Sequence, residues 1–254
     1  MNRSQPASQR QRLDELLVGR GLFPSRSRAR DAIGRGTVTV DGVKARKPGQ
    51  PILPDATIAV RDPAQAYVSR AALKLAAGLD RFGLDPQGAE ALDIGASTGG
   101  FTQVLLQRGA AHVTALDVGH GQIHPDLAGD PRVTVIEGLN ARDLTPEDLG
   151  GRLPDFIVSD VSFISLRLAL PPALALARAG ARAVLLVKPQ FEAGRGAVGK
   201  GGLVKDPHEG ERIAGDLRAW LDAVPGWRAI GLCPSPIEGG DGNREFLLAG
   251  EKSR

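Results

Sequence analysis

From Ala91 onward the chain alternates short apolar runs with stretches of helical spacing, and this alternation limits its possible folds more than any other feature. Ala91 to Ile94, Val113 to Leu116, Val133 to Ile136, Phe156 to Ser159 and Ala183 to Val187 read as strands. Helical spacing fits Phe101 to Arg108, Leu166 to Arg178 and His208 to Leu221. Strands separated by helices build a sheet covered on both faces, so the spacing predicts a doubly wound α/β domain. Ala229 to Leu232 and Phe246 to Ala249 have no helical pattern between them and are expected to pair antiparallel at one edge. Ser69 is placed to cap an earlier helix running to Phe82, with Ala72, Leu75, Ala76 and Leu79 on one face.

The front of the chain has a different character. Residues 1–11 are polar and read as a tail. Leu13, Leu16 and Leu17 have helical spacing that ends near Gly21, and Ser25 is placed to cap a second helix, Arg26 to Arg35. Thr37 to Val40 alternates as a strand, Asp41-Gly42 is a hairpin signal, and Thr57 to Val60 is a further short strand. Residues 12–60 therefore form a small α+β domain, 61–66 a linker containing Asp62-Pro63, and 67–254 the α/β domain. A total of 254 residues suits two domains. Residues 1–62 hold 12 Lys and Arg against 6 Asp and Glu, while the remainder is slightly acidic. A basic front on a near-neutral body suggests a polyanion partner, nucleic acid first.

Several classes drop out. Cys233 is the lone cysteine, which excludes an intrachain disulfide and a cysteine-based zinc cluster, and no metal is expected. Met1 to Arg12 contains no Leu, Ile, Val or Phe, so a secretory signal is not expected. The most apolar stretch, Leu166 to Val187, is cut by Arg167, Arg178, Arg182 and Pro171-Pro172, against a membrane span. A cytoplasmic protein follows.

Leu92-Asp93-Ile94-Gly95-Ala96-Ser97-Thr98-Gly99-Gly100-Phe101-Thr102 ends the first strand and opens a helix. Glycines at such a turn let backbone approach a ligand beyond the strand's carboxyl end. The acid Asp93 precedes the first glycine and suits a cationic ligand better than a pyrophosphate. Asp117, ending the second strand, can accept from ribose hydroxyls, and Asn140 and Asp143 follow the third, where an adenine edge would lie. Together these fit S-adenosylmethionine. A tight structural turn in another Rossmann-like protein fits the spacing as well. Gly194 to Gly201 nearly matches GxxxxGK[ST], but Gly201 lacks the magnesium-binding hydroxyl, and a mobile substrate loop with Arg195, Lys200 and Lys205 is expected instead.

Four charges stand out: Lys74 among Ala71, Ala72, Leu73 and Leu75, Asp160 and Lys188 at strand ends, and Glu245 before Phe246-Leu247-Leu248. Singly, each fits a strand or helix end meeting water. As a set they suit methyl transfer to an alcohol, which needs in-line positioning and removal of a weakly acidic proton. Lys188 is the expected base.

At these residues the chain resembles the TlyA family of ribosomal RNA 2′-O-methyltransferases, also called hemolysin A-like. The match runs over about residues 12–250, through Arg12-Leu13-Asp14, Ser25 to Ala29, Tyr67-Val68-Ser69-Arg70, Gly95 to Thr102, Asp160 to Ser165, Val187 to Glu192 and Gly242 to Phe246. The resemblance implies an S4-like RNA-binding domain and a Rossmann-like class I methyltransferase sheet of the FtsJ type. Its Lys-Asp-Lys-Glu tetrad falls on Lys74, Asp160, Lys188 and Glu245. It also implies the cytidine ribose 2′-hydroxyl as acceptor, in the large and in some members also the small subunit. Ala71-Ala72 stands where the family often has Gly, and the chain stops at Arg254 as in the shorter, large-subunit members. Arg12, Arg26, Arg28, Arg30, Arg35, Lys44, Arg46 and Lys47 are then expected to contact phosphates, and the enzyme to act as a monomer. The rival readings are a non-catalytic RNA-binding protein and a cytolysin.

Overall fold

The chain divides into two units, Met1–Gln65 and Ala66–Arg254. The computed structural model describes residues 10–193, 199, 202–204 and 206–253. The expected mobile loop, Gly194 to Gly202 with Arg195, Lys200 and Lys205, therefore falls mostly outside the described residues.

The first unit comprises β1 (Gln11–Arg12), α1 (Leu13–Gly19), α2 (Arg26–Gly34), β2 (Val38–Val40), β3 (Val43–Lys44), β4 (Pro51–Ile52) and β5 (Ile58–Val60). β1 pairs antiparallel with β4, so Gln11 belongs to a strand and not to the polar tail. Ser25 caps α2, accepting from the Arg28 N–H at 3.3 Å. β2 and β3 form a hairpin in which Asp41 and Gly42 both take positive φ, 49° and 78°, as a two-residue turn of this hand requires. Leu13, Leu17, Phe23, Ile33 and Val38 pack as the core.

A buried ion pair fixes the end of α2. The Asp62 carboxylate accepts two hydrogen bonds from Arg35, at 2.6 and 2.9 Å, and Arg35 also reaches Asp31 at 3.0 Å. Burial opposes charge on Asp62, yet hydrogen bonds from Arg35 and the Ala64 N–H hold its carboxyl below the usual range. Helical spacing groups Arg35 with surface cations. The structure turns it inward, because a buried carboxylate must be paired.

The second unit comprises α3 (Ala72–Phe82), β6 (Glu90–Ile94), α4 (Gly100–Gln107), β7 (His112–Asp117), α5 (Pro125–Ala128), β8 (Val133–Glu137), β9 (Phe156–Ser159), α6 (Leu166–Ala169), α7 (Pro171–Leu176), β10 (Arg182–Val187), α8 (Pro189–Glu192), α9 (Pro207–Ala223), β11 (Trp227–Pro234) and β12 (Phe246–Lys252). The sheet order is β11-β12-β10-β9-β6-β7-β8. The five strands from β10 to β8 are parallel, and β12 runs antiparallel between β10 and β11. Successive residues feed opposite faces: Ile157 enters one apolar core, and Phe156 and Val158 enter the other. That two-sided burial explains why these strands read as unbroken apolar runs.

Two elements depart from the spacing. Ser69 does not cap α3; its Oγ accepts from the Ala71 N–H at 3.2 Å, and the Ala72, Leu73 and Lys74 N–H groups close a tighter turn onto residues 69–71. The expected helix Leu166 to Arg178 is broken into α6 and α7 at Leu170, because Pro171 and Pro172 have no N–H to continue α6. No helix among the described residues is long and apolar enough to cross a membrane.

β6 is flanked by β7 on one side and β9 on the other, so the chain's path reverses there and a crevice opens beyond their carboxyl ends. For the first unit, Arg35→Ala strands the buried Asp62 carboxylate and is expected to cost about 3 kcal/mol of local stability. Hydrogen exchange across α2 in the intact protein should accelerate accordingly. Arg30→Ala, on the exposed face, should leave it unchanged.

Candidate active site

The turn after β6 is pressed against the chain leaving β9. Gly95 has φ +81°, and a Cβ there would sit 2.9 Å from the Asp160 carbonyl oxygen. No other residue type meets both conditions. Ser97, also at positive φ, donates its N–H to Asp117 Oδ2 at 2.7 Å, and the Gly119 N–H donates to Oδ1 at 2.7 Å. The Ser97 hydroxyl lies 3.0 Å from Gln122 Oε1. Asp117 thus ties the glycine turn to the end of β7.

Two cavities open here. The larger, 620 Å³, has an apolar floor of Ile94, Leu116 and Leu139, with Asp117 and Asn140 on its wall and Asp160 also lining it. The smaller, 150 Å³, is lined by Ala96, Thr98, Gly100, Phe101 and Lys188. Gly95, Ser97, Asp160 and Ser162 line both. Gly99, at φ +92°, precedes α4 and is on the wall of neither cavity. Asn140 Oδ1 accepts from the Arg142 N–H at 3.2 Å. Asp143 is exposed, pairs with Arg142 at 3.5 Å and is absent from the walls.

Asp93 is not brought to the cavity wall either. Its side chain is fully buried, and Oδ2 accepts from Thr102 Oγ1 at 2.7 Å. Oδ1 has no hydrogen-bond partner among the described residues. Burial pushes this carboxyl up to about 7, and Asp160 and Asp117 add to the effect.

The four conspicuous charges form two pairs. Lys74 Nζ lies 2.5 Å from Glu245 Oε2, with both side chains almost wholly buried. Lys188 Nζ lies 2.6 Å from Asp160 Oδ1 and donates to Ser162 Oγ at 2.7 Å. Burial raises the Glu245 carboxyl above its usual range; Lys74 and Lys188 act against that, and Asp160 adds to it. The two pairs therefore share one electrostatic field. Only the Asp160–Lys188 pair reaches the cavities.

Other residues at the site were not singled out by spacing. Ser162 holds the Lys188 amine. Phe163 lines the larger cavity, is 91% exposed and has φ +65°. Its ring is 5.0 Å from that of Phe191. A bulky apolar residue in a polar segment directly after a strand is the signal that could have found it.

In the first unit the cations divide. Arg12 and Arg26 both donate to Asp14, at 3.1 Å each, and Arg26 also pairs with Glu15 at 3.1 Å. Arg28 donates to the Ala64 carbonyl at 2.8 Å. Arg30, Lys44, Arg46 and Lys47 are exposed and carry no ion pair among the described residues. Among those residues no cluster of His, Cys, Asp and Glu could hold a metal ion.

Residues 67–252 match the FtsJ-like methyltransferase family, and residues 11–58 match the S4 domain. The chain is 47% identical over 242 residues to the 16S/23S rRNA (cytidine-2′-O)-methyltransferase TlyA of Mycobacterium tuberculosis, covering 95% of this chain and 90% of that protein. It is 38% identical over 191 residues to the 23S rRNA (cytidine-2′-O)-methyltransferase TlyA of Campylobacter jejuni, covering 72% and 70% respectively. A solved structure from Streptococcus thermophilus, described as a hemolysin, superposes with a TM-score of 0.74 at 41% identity, covering 97% of this chain and 90% of that one.

The buried Asp93 has a pH signature. The folded protein keeps its proton up to about pH 7, whereas the unfolded chain releases it near pH ~3.9. Stability from this group is whole below the unfolded value and is lost as pH rises to the folded one. Asp93→Asn keeps an oxygen for Thr102 and removes the ionisation. Its melting temperature relative to the wild type should rise from pH 5 to pH 8. A difference independent of pH would contradict this placement of the proton.

Proposed function

The chain belongs to the FtsJ-like methyltransferase family, and on that footing we propose that it methylates the ribose 2′-hydroxyl of cytidine in large-subunit ribosomal RNA. Its methyl donor is S-adenosylmethionine. The observation that carries the reading is the Asp160–Lys188 pair, with Asp160 lining both cavities and Lys188 the smaller one, and the Lys74–Glu245 pair in the same field.

The larger cavity fits that donor. Its volume falls within the range of about 300–1,000 Å³ for small-molecule sites. Its apolar floor suits a flat heterocycle, and Asp117 and Asn140 offer acceptors for the nucleoside. The glycine turn would hold the methionine end, and Asp160 carries a charge suited to a sulfonium. When bound, the donor supplies a methyl group made electrophilic by the positive sulfur.

What remains for the protein is positioning and proton removal. Lys188 orients the acceptor hydroxyl and takes its proton, an act open only to a neutral amine. Asp160 and Ser162 fix where that amine points. The Lys74–Glu245 pair is buried, internally neutralised and rigid, and it sets the field around Asp160 and Lys188. Asp93 and Thr102 brace the glycine turn from behind.

The S4 domain holds the RNA. Arg30, Lys44, Arg46 and Lys47 are the cations offered to phosphates, joined by Arg12, Arg26 and Arg28, whose guanidinium groups are already anchored within the domain. Such contacts position RNA without choosing its sequence, so folded RNA or an assembled subunit is the expected substrate. On this reading the protein works as a monomer with ribosomal subunits in the cytoplasm.

Labelled methyl transfer from S-adenosylmethionine tests this directly. Wild-type protein should label unmodified large subunits, and Lys188→Ala should fall by at least about 100-fold. Lys188→Arg should be as inactive, since guanidinium does not release its proton. Substantial label from either variant removes Lys188 as the base, and label on small subunits would widen the substrate. Separately, Arg30→Glu with Arg46→Glu should weaken RNA binding and flatten its dependence on salt. Unchanged affinity and slope would count against the S4 surface.

A further inference from the structure

Glu192 takes no part in the scheme above, yet both oxygens of its carboxylate are held by a different loop. Ser165 Oγ donates to Oε2 at 2.6 Å, and the Leu166 N–H donates to Oε1 at 2.7 Å. Glu192 ends α8, the four-residue helix that begins directly after Lys188. Ser165 precedes α6 and lies in the segment that begins at Asp160. The two tetrad residues that reach the cavities thus head two loops, and Glu192 ties those loops together away from the strands.

The tie matters because little else joins them. The β9–β10 ladder stops at Ser159 and Leu185, before either tetrad residue. Among the described residues no backbone hydrogen bond links 160–166 to 188–193. Among the described residues the polar and ring contacts between them are the Lys188 contact with Asp160 and Ser162, the Phe163–Phe191 ring contact and the Glu192 carboxylate. The first of these is the reacting geometry itself. It must stay in place when the amine gives up its charge and its attraction to Asp160 weakens. The second is an apolar contact with no fixed angle. The carboxylate supplies a pair of charge-assisted hydrogen bonds, the stronger of the two ties that do not change during the reaction.

We propose that Glu192 is a positioning residue for methyl transfer, holding the Lys188 loop against the Asp160 loop so that the amine meets the acceptor hydroxyl at a fixed place. This rests on the assignment of Lys188 as the base. Glu192 touches neither cavity and acts only through the loops.

The test compares the full-length wild type with Glu192→Ala, Glu192→Gln and Ser165→Ala on large subunits, reading kcat and both KM values. Misplacing a reacting group by about 1 Å costs up to roughly 100-fold, so Glu192→Ala should lose about 30-fold in kcat. Both KM values should change by less than about twofold, because substrate contacts are intact. Glu192→Gln can rebuild both links, its oxygen accepting from Leu166 and its amide donating to the Ser165 hydroxyl. It should stay within about threefold of wild type. Ser165→Ala removes one link from the opposite side and should give an intermediate kcat. It also keeps the test open if Glu192→Ala does not fold. The proposal is overturned by full kcat in either alanine variant, by a loss that appears in KM alone, or by a glutamine variant as impaired as the alanine one. A wild-type protein that methylates no RNA would instead overturn the function on which the proposal stands.

Discussion

Lys188 and Asp160 stand 2.6 Å apart at the ends of two adjacent parallel strands, and most of the larger domain serves to keep them there. A paired amine and carboxylate facing a cavity are in tension. Each is stabilised by the other, yet the proposed chemistry needs the amine to part with a proton. Side chains on free loops would relax toward whatever pairing was tightest. Here the register of β9 and β10 brings the loops out side by side, and Gly95 closes against the carbonyl of Asp160. The glycine turn and the carboxylate paired with Lys188 are therefore one packed piece.

The second charge pair shows a different solution. Lys74 and Glu245 are almost completely buried, where isolated charges are costly and a matched pair is tolerated. Such a pair adds little to stability over an apolar replacement. In the proposed scheme its value is a fixed field close to Asp160 and Lys188. Asp93 carries the same idea to its limit: a carboxyl with a single side-chain partner, held so deep that it stays protonated until about pH 7.

Much of this was legible in the sequence, for identifiable reasons. The strands of the parallel sheet are buried on both faces, so their apolar runs are unbroken and easy to see. Asp160 and Lys188 were visible as charges that end such runs. The partnership of Lys74 and Glu245 was not, because 171 residues separate them and no periodicity spans that distance. Their joint role came from the family resemblance alone. Arg35 was misjudged because helical spacing gives a face and not a partner, and its partner Asp62 lies in what reads as a linker. The continuous helix over Leu166 to Arg178 failed for a visible cause, Pro171-Pro172. Asp93 read as a ligand to the donor because strand position reveals depth along the sheet but not which way a side chain turns. The Glu192 tie was invisible, since a glutamate after a short turn looks like any surface acid.

The most direct measurement is nucleoside mass spectrometry of RNA from unmodified large subunits after incubation with the protein and S-adenosylmethionine. The expected product is a cytidine whose added methyl group stays with the ribose fragment, formed by the wild type and not by Lys188→Ala. A methyl group on the base fragment would contradict the assignment of a tetrad that deprotonates a hydroxyl. So would a methylated ribose formed equally well without Lys188.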